Sequence, residues 1–403
     1  MTHPGPAAQP GALPGALPGR PAAGPVVGII GGGQLARMLA EAATPLGVHV
    51  RVLVAEGEEG AAEVAPDVLV GRADDPAALR ALAESVDVVT IDHENVDHET
   101  LAALEAEGVA VRPSVHTLGY SDKAHQRRHF AAAGLPVPPF TVVDPAAGAA
   151  TTEALAFAGA HGGRVVAKAS RGGYDGRGVW MLSAEELADF LAGYTGAPLV
   201  LEPRLELEVE LAVIVARRPS GEVATWPVLE TVQVDGMCDE VVLPAPVSPA
   251  VDSQARAVAA RVAEVTDAVG VLAVELFVVG GEVLVNEIAP RVHNSGHLTI
   301  EATGTSQFEQ HLRAILDWPL GPTGPLAAVA VMANVVGGPH ADPRDRQAEA
   351  LAEVPEAHVH LYGKAARPKR KIGHVTVLGT DRDEVRRRAK RAADLLAGGA
   401  GPA

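Results

Sequence analysis

Lys168 lies late in an apolar run at 164–169, and the chain then reads Gly172-Gly173-Tyr174-Asp175-Gly176-Arg177-Gly178. Glycines at this density expose main-chain N–H groups and leave room for a phosphate. The pattern is not the phosphate loop that ends in Lys-Ser/Thr, since no such pair follows. A lysine on a strand under a separate glycine-rich cover is another way to hold a triphosphate. Lys168, Arg171 and Arg177 gather positive charge here, in a chain whose formal charge is −17. A solvated hairpin loop is the plainer alternative, and that gathering of cations argues against it.

Two carboxylates sit inside otherwise apolar runs, Glu275 within 273–279 and Glu287 within 283–288, on either side of Gly280-Gly281. Charges in such strands are costly unless paired or bound to a cation. A two-residue turn at Gly280-Gly281 sets Glu275 against Asn286 and sends Glu287 to the other face. A three-residue turn that includes Glu282 pairs Glu275 with Glu287 on one face. The second register is the expectation, because Mg²⁺ takes one or two carboxylates together with phosphate oxygens and water. Two buried glutamates, neutral or paired with arginine, are the alternative. The segment Asn286-Glu287-Ile288-Ala289-Pro290-Arg291-Val292-His293-Asn294-Ser295-Gly296-His297 follows directly. Loops at strand ends commonly carry chemistry, and this one suits a small anion beside the phosphates.

Weaker signals lie elsewhere. Gly31-Gly32-Gly33-Gln34-Leu35-Ala36 follows a strand-like run and opens a helical one. It suits a dinucleotide, with Glu56 on the ribose, or a phosphate-bearing substrate, or a turn that needs glycine for packing. Asp92-His93-Glu94 and Asp97-His98-Glu99 match no ligand pattern. His125 and His129, beside Arg127 and Arg128, read as a solvated basic face, and Cys238 as incidental.

These residues need a scaffold. At roughly 100–200 residues per domain, 403 residues make two or three domains. With 47% hydrophobic and 21% charged residues the chain is globular, and with only 3% aromatic residues its cores are built of Ala, Val and Leu. The excess of 50 acidic over 33 basic residues argues against nucleic acid or an anionic membrane as partner, and leaves small anions open. A single cysteine rules out an internal disulfide. No apolar run reaches the ~18 residues of a membrane span. Residues 1–24, broken by prolines and lacking a basic start, read as a disordered tail and not a secretory signal. A cytoplasmic location is the expectation.

Strands expected at 26–30, 49–54, 68–70, 87–91 and 109–111 alternate with helices at 34–44, 77–82 and 101–107. That alternation predicts an α/β domain with a parallel sheet over 25–115. Residues 116–317 predict an α+β domain. It has helices at 123–133, 184–191 and 253–269, and strands at 164–169, 179–182, 199–202, 209–215, 228–234, 273–279 and 283–288. A small third domain over 318–403 carries strands at 327–335 and 372–378 and a helix at 382–397.

GIIGGGQLARML, SDKAHQRRHFAAAGLPVPPF, AKASRGGYDGRG, VNEIAPRVHNSGHLTIEATGTSQFEQHLRAIL and RPKRKIGHV occur in that order. Together they resemble the 5-(carboxyamino)imidazole ribonucleotide synthases, ATP-grasp carboxylases of purine biosynthesis, over residues 25 to 385. The resemblance implies a Rossmann-like pre-ATP-grasp domain, an ATP-grasp domain and a small C-terminal domain. It implies ATP, bicarbonate and 5-aminoimidazole ribonucleotide as substrates, Mg²⁺ (with Mn²⁺ as a substitute) as cofactor, and a homodimer. By position, Lys123 and Lys168 meet ATP phosphates under the loop Gly173, Tyr174, Asp175, Gly176, Arg177, Gly178 and Val179. Glu202, Pro203, Arg204 and Leu205 meet the adenine edge, Glu210 the ribose, and Glu275 and Glu287 the metal, with Asn286 beside the phosphates. Tyr174, Asp175, Arg177, Arg291 and His293 face bicarbonate and the imidazole. Gly33, Gln34, Glu94, Lys364, Arg367 and Lys371 grip the ribonucleotide.

Two positions depart from the family. Its Thr-Phe/Tyr-Glu-Phe-Glu-Asn-Val is here Thr90-Ile91-Asp92-His93-Glu94-Asn95-Val96, and a histidine common near the nucleotide is Gln233. A nicotinamide oxidoreductase built on the first glycine turn is one competing reading, and it leaves Glu275, Glu287 and the second glycine loop without a role. Another ATP-grasp ligase acting on a small amine is a second, and a non-catalytic nucleotide-binding protein a third.

Overall fold

The structure, a computed structural model, describes residues 24–57, 60–173, 177–338 and 342–398. Its first part is a parallel sheet of four strands in the order Asp67–Val70, His49–Val54, Val26–Ile30, Val88–Ile91. Val26–Ile30 is apolar throughout because both of its faces are covered. Leu35, Met38 and Leu39 of helix Gln34–Ala43 pack on one face. Leu79, Leu82, Leu101 and Leu104 pack on the other. The run at 109–111 does not become a strand; only Val111 bridges to Val89.

The central part holds two antiparallel sheets. The smaller runs Thr141–Val143, Leu199–Pro203, Arg164–Ala169, Val179–Ser183, backed by helices Ala150–Ala160 and Ala184–Gly193. The larger runs Glu282–Ala289, Gly270–Val279, Val209–Arg217, Leu229–Val234, Met237–Leu243, Val329–Val336, Lys371–Gly379, His358–Leu361, with Val223–Thr225 pairing Val209–Arg217. Sheet continuity therefore crosses from the central part into the C-terminal one where Met237–Leu243 pairs with Val329–Val336. The C-terminal residues share a backbone ladder with the center and do not form a detached body. The first half of Met237–Leu243, Met-Cys-Asp-Glu, lacks an apolar run, so no strand is expected there from the sequence.

The long helix is Pro249–Val265, not 253–269. Ser248 caps it through Val251 N–H and Pro249 takes the first turn, a start signal that outweighs the apolar spacing further on. Asp267 at φ 49° then ends it before Gly270 opens the next strand. Across the parts, His311 Nδ1 accepts Val271 N–H at 3.0 Å, so Nε2 carries the ring proton and donates to Thr90 Oγ1 at 2.9 Å. Burial pushes His311 down to about 3, which keeps it neutral. This joint sets the first sheet beside the large one. Among the described residues no helix is long and apolar enough to cross a membrane.

Candidate active site

Strand Gly270–Val279 and strand Glu282–Ala289 pair so that Glu275 faces Glu287, as expected. The cause differs from the expected one. Val279 pairs with Glu282, so the turn has two residues, and the ladder shifts by one between Glu275 and Leu276. A bulge at Asn286 makes that shift: Leu276 opposes Val285, and the next pair is Glu275 with Glu287. A bulge sets two residues of one strand against one of the other and re-aims side chains. Asn286 and Glu287 thereby come to Glu275 together.

Lys168 reaches this bulge from the smaller sheet. Its Nζ lies 2.8 Å from Asn286 Oδ1 and 2.8 Å from Glu202 Oε2. Glu202 is buried, its side chain 3% exposed, between Lys168 and Arg127. Burial pushes the Glu202 carboxyl up, but those two cations outweigh it and hold it below the usual range. Arg127 also donates to the carbonyls of Val285, at 2.6 Å, and Asn286, at 2.8 Å, so it clasps the bulge itself. Arg127 does not share the solvated face of His125, Arg128 and His129, which are exposed. It is 3% exposed. The signal for it was spacing: Ala124, Arg127 and Phe130 fall three apart on the buried stripe of helix Lys123–Ala132.

Lys123 opens that helix, and its N–H donates to the Ser170 carbonyl at 2.8 Å, which ties the helix start to the end of the lysine strand. Its ammonium pairs with Glu287. Burial, then the charge of Lys168, push Lys123 down to about 8. The group is cationic below that pH and neutral above it. If Lys123 meets ATP phosphates, kcat/KM for MgATP falls as pH rises through about 8, because that ratio reports the free enzyme. Lys123→Arg flattens this limb. A wild-type profile flat to pH 10 rules out a Lys123 that titrates near 8 at the phosphates.

The glycine loop is closed at its base by Ala169 N–H donating to Gly178 O at 2.8 Å and by the pair Lys168–Val179. Gly178, at φ 73°, lies against Gly173, and a Cβ on Gly173 would come 2.9 Å from the Arg177 carbonyl. Tyr174, Asp175 and Gly176 lie outside the described residues.

On the other side of Glu275 stands the 291–297 turn. Arg291 Nε lies 3.0 Å from Glu94 Oε1, which joins the central part to the first. Ser295 N–H donates to His293 Nδ1 at 3.3 Å, so the ring proton sits on Nε2, 3.7 Å from Glu275 Oε1. Enclosure, then the cations Arg291 and Lys371, push His293 down to about 3, so the ring is neutral. Burial raises the Glu275 carboxyl, and Lys123, Lys371, Lys168 and Arg291 oppose it. Two cross-strand carboxylates, one of them poorly solvated, fit Mg²⁺ with phosphate oxygens completing its shell. Among the described residues no group of three or more His, Cys, Asp or Glu could hold a metal ion, as a fully protein-built cage would need.

Lys364 binds the Gln34 side chain across the first and last parts. Gly33 N–H donates to Asp92 Oδ2 at 2.7 Å, and a Cβ on Gly31, at φ 114°, would lie 1.8 Å from Asp92 Oδ1. The first glycine turn thus cradles a carboxylate. A dinucleotide pyrophosphate would meet that negative charge, and Glu56 is exposed, so the nicotinamide reading is not favored. The shortened acid Asp92 is therefore accounted for by the fit of that turn.

Arg367 is exposed, next to Gly337. Glu210 lies near Glu275, and burial and then Glu275 raise its carboxyl. Pro203, Arg204 and Leu205 continue from Glu202, whose carboxylate is already engaged. Gln233 lies exposed at a bulge in strand Leu229–Val234, outside these contacts. Burial pushes the Cys238 thiol up to about 12, so it is no nucleophile.

Three family models match along the chain: a ribonucleotide synthetase preATP-grasp domain over 25–121, an ATP-grasp domain over 128–308 and a phosphoribosylaminoimidazole carboxylase C-terminal domain over 330–388. With the two lysines and the paired carboxylates in place beside these matches, the chain is an ATP-grasp enzyme. The N5-carboxyaminoimidazole ribonucleotide synthase of Mycobacterium tuberculosis is 46% identical, covering 93% of this chain and 88% of that one. The synthase of Corynebacterium ammoniagenes is 43% identical, covering 92% and 91%. A solved structure of the Aspergillus clavatus enzyme, in complex with ADP and 5-aminoimidazole ribonucleotide, matches with TM-score 0.84 at 33% identity, over 92% of this chain and 98% of that one. The chain belongs to the N5-carboxyaminoimidazole ribonucleotide synthase family.

Proposed function

We infer that this enzyme carboxylates 5-aminoimidazole ribonucleotide with bicarbonate at the expense of ATP, in purine biosynthesis. A bicarbonate oxygen attacks the γ-phosphorus, ADP leaves, and carboxyphosphate forms. The exocyclic amine then takes the carboxyl group, directly or through CO₂, phosphate leaves, and the amine gives up a proton. Phosphoryl transfer needs placement and charge neutralization more than covalent help. Lys168 and Lys123 supply positive charge for the phosphates, and Asn286 orients Lys168. Glu275 and Glu287 hold Mg²⁺, which screens the phosphate charge. Arg291 and neutral His293 hold bicarbonate and the imidazole beside them. Gln34, Glu94, Lys364 and Lys371 grip the ribonucleotide, with Arg367 at the rim. Main chain at 202–205 meets adenine and Glu210 the ribose. A cytoplasmic homodimer accompanies this reading.

The observation that supports this reading most is the bulge. It gathers Asn286, Glu287, Glu275 and Lys168 at one point, with the Arg291–His293 turn next to them. Phosphate release from MgATP tests it. Release should require bicarbonate and rise with 5-aminoimidazole ribonucleotide. Release that ignores both, or that another amine supports in place of the ribonucleotide, overturns it.

A further inference from the structure

Gln307 opens helix Gln307–Ile315 and is fully buried. Its side chain acts as a short piece of main chain for the 291–297 turn. Oε1 accepts His293 N–H at 2.9 Å, and Nε2 donates to His293 O at 2.7 Å. Those two bonds fix which end of the amide is which. The second Nε2 hydrogen therefore points at His297 Nδ1, 3.2 Å away, which must accept it. His297 is thus held as the tautomer protonated on Nε2. The fit is close, since a Cβ on Gly296 would come 2.3 Å from Gln307 Oε1.

The contact does not end there. The His297 ring lies 4.9 Å from that of His374, whose Nδ1 is 2.8 Å from the Tyr362 hydroxyl. His374 sits in strand Lys371–Gly379, three residues after Lys371. One buried amide thus joins the Arg291–His293 turn to the strand that starts with a ribonucleotide-side lysine.

We propose that Gln307 is a positioning residue for carboxylation: it sets the 291–297 turn that holds bicarbonate and registers that turn against the Lys371 strand. This rests on the reading that Arg291 and His293 hold bicarbonate. Gln307→Leu and Gln307→Glu test it, alongside Arg291→Met. Gln307→Glu keeps the acceptor for His293 N–H at almost the same volume and has at most one donor, the hydroxyl of its neutral form, in place of two, so the His293 O and His297 Nδ1 bonds cannot both survive; it decides the matter if the leucine variant fails to fold. Losing buried hydrogen bonds should raise the KM for bicarbonate about tenfold and leave the KM for MgATP within about twofold. A rise of both constants together, or no change in bicarbonate KM, overturns the positioning role. If Arg291→Met raises bicarbonate KM and Gln307→Glu does not, the positioning role fails alone. If Arg291→Met leaves it unchanged, the bicarbonate reading itself fails and takes this inference with it.

Discussion

Glu287→Gln should abolish turnover while leaving the melting temperature close to wild type. Gln is isosteric with Glu, the Glu287 side chain is 37% exposed, and Lys123, which loses this partner, keeps the charges of Glu275 and Glu202 nearby. What goes is one of two carboxylate charges facing each other across the hairpin. Removing a single electrostatic element at a site of developing charge costs on the order of 10²–10³ in kcat. If Glu275 and Glu287 are the protein's two metal donors, as proposed, losing one puts the loss at or above the top of that range. The Mg²⁺ concentration for half-maximal rate should rise as well. Steady-state ADP release over a Mg²⁺ series measures both. A variant with near-normal ATP consumption at ordinary Mg²⁺ removes Glu287 from the metal site, and with it the central premise of the mechanism.

Arg127→Met should cost both stability and ATP use. Arg127 and Glu202 form a buried ion pair, their side chains 4% and 3% exposed. Breaking such a pair from one side costs roughly 3–5 kcal/mol, because a desolvated charge is left behind. Glu202 would keep Lys168, which softens the loss and puts the expectation toward the lower end. Lys168, drawn toward a carboxylate no longer shared, and the unclasped carbonyls of Val285 and Asn286 would both misplace the phosphate site. The double variant Arg127→Met with Glu202→Leu separates the two effects. It removes the Arg127–Glu202 pair but leaves Lys168, 12% exposed, without its carboxylate, so stability should recover only in part, while KM for MgATP stays high because the bulge remains unclasped. Chemical denaturation and ATP kinetics on the single and double variants provide the measurement. An Arg127→Met protein with unchanged stability refutes the buried-pair account.

Much of the scaffold was legible because period and punctuation agree. Strand Val26–Ile30, the glycine turn and helix Gln34–Ala43 stand where the residues predict them, since an apolar run, glycines and a 3.6-residue stripe follow one another without conflict. The errors fall where that agreement breaks. Residues 109–111 are apolar, yet only Val111 pairs with a strand residue, and the run stays an isolated bridge to Val89. Strand Met237–Leu243 looks polar at its start, where its first three residues are only partly buried.

At the site, sequence alone identified the kinds of group: a strand lysine, a glycine-rich cover, two acids in an apolar hairpin and a polar turn after them. It also led to the pairing of Glu275 with Glu287, but by way of a three-residue turn. Only the tertiary structure shows a two-residue turn with a bulge at Asn286, because a bulge is held by its neighbors, here Arg127 on the carbonyls of Val285 and Asn286. The burial of Arg127, the carboxylate cradle at Gly31 and Gly33, and the grip of Gln307 on His293 have the same origin. Each depends on contacts between residues far apart in the chain, and local spacing says which side chains are present without saying which distant partner desolvates them.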